Sequence, residues 1–181
     1  MSETTFFVRG RNRGNERKVI LTTAALLVGK APTKAKRIRM KVRMPLNGQK
    51  PVGTPDWVMK ALEFVSQSHD AVSATAEFSG FDVTFNDENL FDSAKASANK
   101  CQLRSFVIQE AGDSENPDIV MEFLIYAPFS TTLWKFCGQY GGEEFWCRFD
   151  QIEEPEDENL ELTGDDDEEE EEEESAEGAE A

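Results

Sequence analysis

Residues 36–44 read Lys-Arg-Ile-Arg-Met-Lys-Val-Arg-Met, a strict alternation of cationic and apolar side chains. Successive side chains of a strand point to opposite faces. A strand here therefore sends Ile38, Met40, Val42 and Met44 into a core and lines up Arg37, Arg39, Lys41 and Arg43 on one solvent-facing stripe. Side chains two residues apart stand roughly 6.5–7 Å from one another along a strand. An extended single strand of nucleic acid offers its phosphates at a similar spacing, which makes the stripe a candidate binding surface. The same pattern also suits a solvated face, or a charged edge that discourages aggregation.

The neighbouring segments have to build the rest of a sheet. Thr4–Val8 reads as a short strand, and Lys18–Val28, rich in β-branched and aliphatic residues, as another. Pro45, Gly48, Pro51 and Gly53 mark a loop. A helix is expected next, with Thr54 as N-cap, Pro55 at its first position, Asp56 facing the N-terminal dipole, and an end near His69. Trp57, Val58, Ala61, Leu62 and Val65 form its apolar stripe. Phe81, Val83 and Phe85 alternate with polar residues as in a half-buried strand. The polar stretch 86–100 suggests a short helix near Ser93–Asn99. Gln102–Gln109 and Asp118–Tyr126 read as two strands joined by the turn-rich 112–117, an antiparallel hairpin. Ser130 suits an N-cap before Leu133, Phe136, Cys137 and Tyr140 at helical spacing, and Gly141-Gly142 stops that helix. Glu143–Ile152 closes the body as a strand with Phe145, Cys147 and Phe149 on one side. The expectation is a single α+β domain over 1–152, with a largely antiparallel sheet and two helices.

Charge divides the chain sharply. Residues 1–60 hold 14 Lys/Arg against 3 Asp/Glu, and residues 61–150 hold 5 against 15. Residues 151–181 hold 18 Asp/Glu and no Lys or Arg. The run from Gly164 to Ser175 has no apolar side chain to bury and repels itself, so 153–181 is expected to be a disordered acidic tail. Three cysteines, Cys101, Cys137 and Cys147, are an odd number without dense spacing, the pattern of free thiols in a reducing compartment. Met1–Thr5 is polar and arginines follow at once, so no secretory signal is expected. The longest apolar stretch is far too short to span a bilayer. A cytoplasmic location with no membrane contact follows as the expectation.

Catalytic patterns are missing. The one histidine, His69, sits beside Asp70 at an expected helix end, where a cation meets the helix dipole. No G-x-S-x-G accompanies it. Cys137 and Cys147 are ten residues apart, unlike zinc ligands, and no phosphate-cradling glycine loop is present. Asp113, Glu115 and Asp118 superficially suggest a calcium loop, but Asn116-Pro117 stands where a turn glycine is required. No enzyme activity, metal or cofactor is expected.

The reading that gathers most of these features is a non-catalytic nucleic-acid-binding protein, with single-stranded DNA as the expected partner. Arg37, Arg39, Lys41 and Arg43 supply spaced cations. Arg9, Arg11, Arg13 and Arg17, interleaved with Gly and Asn, supply a basic arm. Phe6, Phe7 and Trp146 are candidate stacking platforms, since single-strand binders combine a basic groove with aromatic faces. The acidic tail then competes for the basic site. The body-plus-tail layout resembles that of single-stranded-DNA-binding proteins with a disordered acidic C-terminal tail, though no motif aligns. In that family the tail ends in a hydrophobic or aromatic tip that docks partner proteins, whereas here the last residues are Glu177-Gly-Ala-Glu-Ala181. The resemblance implies replication or recombination proteins as partners of the tail. Two alternatives stand beside this reading. One is an acidic interaction protein, a nucleic-acid mimic, chaperone or inhibitor acting on basic proteins. The other is a structural subunit of a virus particle, for which a homo-oligomer is expected.

Overall fold

In the computed structural model, which describes residues 15–30, 35–46, 56–89, 93–112 and 118–152, nine elements follow one another. They are β1 (Glu16–Val28), β2 (Lys36–Pro45), α1 (Asp56–Ser68), β3 (Val72–Ala74), β4 (Phe78–Asn86), β5 (Ala96–Ala111), β6 (Asp118–Pro128), α2 (Thr131–Gln139) and β7 (Glu144–Gln151). The expected α+β domain is thus present, and its antiparallel sheet closes on itself. Six strands form a barrel in the order β1-β2-β6-β5-β4-β7, and β7 returns to β1. The short β3, which the sequence did not announce, lies against residues 106–108 of β5 beyond the end of β4.

Closure follows from alternation. Each strand contributes its inward parity: Val19 and Leu21, then Ile38, Met40, Val42 and Met44, then Phe81, Val83 and Phe85. Cys101, Leu103, Phe106 and Ile108 continue the set, with Met121, Phe123, Ile125 and Ala127, and then Phe145, Cys147 and Phe149. Six phenylalanines are fully buried, and each removes enough apolar surface from water to contribute about 1.5–3 kcal/mol. They meet stacked or tilted, as in the run Phe106–Phe123–Phe149 with centroids 5.4 and 5.9 Å apart. The three cysteines are free and buried within this core. Burial pushes the Cys101 thiol up to about 12 and Cys137 up to about 11.

A barrel needs sharp curvature, and β5 supplies it. This sixteen-residue strand shifts register against β4 near Lys100 and against β6 near Ser105. Both residues adopt the left-handed region, with φ of 55°. Such bulges bend a strand and strengthen its twist. Residues 96–99, expected within a short helix, are instead the start of β5. There Ala96 and Ala98 point inward and Ser97 and Asn99 outward, a period of two set by pairing with β4.

The helices occupy opposite ends of the barrel. Helix α1 follows the end of β2 and packs Val58, Ala61 and Val65 inward, with Trp57 edge-on to Phe106. It ends as expected at His69, whose positive φ of 63° turns the chain out of the helix. Helix α2 follows β6 at the other end, and its Phe136 meets Phe85 and Phe145. Ser130 caps it as expected, accepting a hydrogen bond from the Leu133 N–H at 3.1 Å. The expected strand Thr4–Val8, the caps Thr54 and Pro55, the turn 113–117 and the tail 153–181 lie outside the described residues. The register Ala111↔Asp118 nonetheless pairs β5 and β6 as an antiparallel hairpin. Among the described residues, no helix is long and apolar enough to cross a membrane.

Candidate nucleic-acid interface

The alternation of 36–44 maps directly onto the two sides of the barrel wall. Ile38, Met40, Val42 and Met44 are at most 1% exposed, while Arg37 and Arg39 are exposed and Lys41 and Arg43 half-buried. Strand β2 lies between β1 and β6, so each cation has a fixed neighbour on either side. Arg37 stands between Leu27 and Pro128, Arg39 between Ala25 and Tyr126, Lys41 between Thr23 and Leu124, and Arg43 between Ile20 and Glu122. The direct cross-strand neighbours of the first two arginines, on β1 and on β6, carry no charge.

Glu122 divides the stripe. It lies on the outer side of β6 yet is only 5% exposed. Its Oε1 accepts from Arg43 Nε at 2.9 Å and Nη2 at 2.7 Å, and its Oε2 lies 2.8 Å from Lys41 Nζ. One carboxylate therefore uses both oxygens to hold two cations. Burial pushes the Glu122 carboxyl up, but the hydrogen bonds and charges of Lys41 and Arg43 outweigh it and hold the group below the usual carboxylate range. No carboxylate of the described residues lies within ion-pair distance of Arg37 or Arg39. Among the described residues, the stripe thus carries two arginines without a carboxylate partner, followed by a triad of net charge +1.

Two other expected residues lie elsewhere. Arg17, grouped by sequence with the basic arm, belongs to β1 and is 7% exposed. It faces inward opposite Cys147, donates to the Glu16 carbonyl, and burial lowers its pKa. The sequence signal was available, because Arg17 shares its parity with Val19 and Leu21. Trp146 sits on the outer side of β7, partly exposed, between Asn86 of β4 and Lys18 of β1. It is on the same barrel wall as the stripe but separated from β2 by β1. Arg9, Arg11, Arg13, Phe6 and Phe7 lie outside the described residues.

The structure adds two side chains to this wall that the sequence reading did not select. On the far side of β6, Tyr126 faces Arg39 and Gln102, and Arg104 of β5 stands opposite Leu124. The Arg104 guanidinium carbon is 5.5 Å from the centre of the Tyr126 ring. Tyr126 escapes notice in the sequence because 119–129 is almost continuously apolar and reveals no outward parity.

Elsewhere the surface is plainer. His69 pairs with Glu110 across 2.7 Å, the expected surface histidine at a helix end. A shallow groove of about 750 Å³ between α1 and β3, lined by Trp57, Phe64 and Val72 among others, lies away from the cations. Among the described residues, no three His, Cys, Asp or Glu side chains gather as metal ligands would. Compared with known proteins, the chain matches no family model, no curated protein and no solved structure.

Proposed function

We propose that this chain is a non-catalytic nucleic-acid-binding protein that takes single-stranded DNA along the outer face of β2, with the acidic segment 153–181 as a competitor for the same cations. The observation that carries the reading is the stripe itself. Four cations at strand spacing stand on one side of a rigid barrel, and the first two have no acidic partner among the described residues. The strand backbone fixes the spacing of the cations, which favours a ligand with regularly spaced anions. Residues 153–181 are tied to this surface by the same chain, so they act at an effective concentration that reaches the mM range for short flexible linkers. The free buried thiols suit a reducing, cytoplasmic setting in which replication or recombination proteins meet the tail.

A salt-resolved titration of the full chain against single-stranded DNA, duplex DNA and single-stranded RNA tests the proposal. Each phosphate contact should contribute a log–log slope of about −0.7 for a single strand. A chain ending at Glu154 should bind single strands more tightly than the full chain at low salt. The two should converge above roughly 0.3 M, where screening acts over only several Å. Salt-independent or undetectable binding to all three nucleic acids refutes the reading. Binding to a basic protein instead would favour the acidic-mimic alternative, which the 18 carboxylates of 151–181 support.

A further inference from the structure

Cations on a wall select polyanions but do not separate a single strand from a duplex. That distinction needs something that engages an unpaired base. Tyr126 is the one aromatic side chain that β1, β2, β5 and β6 carry on the outer parity among the described residues. It is partly exposed and directly opposite Arg39, one strand spacing of about 4.8 Å away.

Arg104 completes the arrangement. Its side chain is 40% exposed, and three contacts fix its guanidinium. It lies over the Tyr126 ring, donates to Gln102 Oε1 at 3.0 Å, and pairs with Glu77. An arginine held over an aromatic ring offers a flat, cationic surface already ordered before any ligand arrives. Paired bases inside a duplex cannot reach such a surface, whereas an unpaired base has a free π-face for it.

We propose that Tyr126 and Arg104 form a stacking site for an unpaired nucleobase whose phosphate lies on Arg39. The inference rests on the reading of the β2 stripe as a phosphate track. It assigns the preference for single strands to the β6–β5 side of the wall. The pair requires no particular base, because every base has a π-face, so the site selects the unpaired state and not a sequence.

The test uses the full chain and three probes of equal length: an oligothymidylate, an abasic oligodeoxynucleotide that keeps sugars and phosphates, and a duplex. Fluorescence anisotropy at one fixed low salt concentration gives the affinities. The oligothymidylate should bind about fivefold or more tightly than the abasic strand, the least that one stacked base contributes. Tyr126→Ala should lower oligothymidylate affinity to the abasic level and leave the abasic strand unchanged. Tyr126→Phe should keep the wild-type preference, since the ring and not the hydroxyl stacks. Equal wild-type affinity for the oligothymidylate and the abasic strand would overturn the stacking site while leaving the phosphate track standing. An equal loss for both probes in Tyr126→Ala would do the same. Failure to bind any of the three would remove the track itself.

Discussion

Arg37 and Arg39 fill the first half of the β2 stripe, Lys41 and Arg43 the second. All four share a strand, a parity and a sign of charge. Their surroundings on β6 differ: Pro128 and Tyr126 face the first pair, Leu124 and Glu122 the second. Glu122 takes a cation on each oxygen, so the second half presents a net +1 where the first presents +2. Alternation in a strand therefore fixes which way a charge points, while the adjacent strand decides whether it is still available. The proposed phosphate track therefore rests chiefly on the first half. The second is a clasp of ion pairs between β2 and β6.

The largest effect should come from leaving the stripe for the opposite parity. Ile38→Glu puts a carboxylate at a position that is 0% exposed, with no partner for it. It should cost more than about 4 kcal/mol and abolish the cooperative thermal transition seen by circular dichroism. A folded Ile38→Glu chain would contradict the inward assignment. Next in size is the contrast between the halves. Arg37→Glu/Arg39→Glu should leave the melting temperature nearly unchanged, weaken single-strand binding tenfold or more, and flatten the salt slope by about 1.4, the value for two contacts. Lys41→Glu/Arg43→Glu should lower the melting temperature, because Glu122 would be left buried among like charges. Equal behaviour of the two double variants would erase the distinction.

The smallest effect sharpens the comparison from the β6 side. Glu122→Gln frees Lys41 and Arg43, so the salt slope should steepen towards that of a four-contact stripe. Stability should fall by about 1–2 kcal/mol, below the range for a fully buried pair, because Lys41 and Arg43 side chains remain 41% and 38% exposed. The pH dependence has a definite sign. The folded Glu122 carboxyl is held below its usual unfolded value, so its contribution is present above that value. It is lost as pH falls through the depressed folded value. Thermal melts of wild type and Glu122→Gln should differ most near neutrality and draw together below about pH 4. A constant gap across that range would deny the carboxylate its role.

Much of the barrel is legible in short windows of sequence. The parity of β2, the Phe-Cys-Phe face of β7, the Ser130 cap and the His69 stop all depend on residues close together in the chain. What escapes depends on long-range partners or on composition that hides the period. Arg43 and Glu122 are 79 residues apart, and only the β2–β6 register joins them. Tyr126 disappears into an apolar run. Ala96 and Ala98 are small and good helix formers, so their alternation with Ser97 and Asn99 is easily taken for a helix until β4 pairs with it. The burial of Arg17 escapes for a different reason: an arginine on an inward parity contradicts the usual preference for exposure.

The pairing of Glu16 with Arg148 brings together the first and last strands of the barrel. Until β7 exists, β1 and β4 each keep an open edge, and the apolar inner faces of Val19, Phe81, Val83 and Phe85 have no lid. Joining ends so distant along the chain requires loop-closure entropy to be overcome before the contacts reward it, so assembly is expected on the slow side for a domain of this size. During synthesis the barrel waits for its final stave. A chain halted before Glu144 would present unpaired edges beside bare aromatic surface, the combination that drives aggregation of folding intermediates.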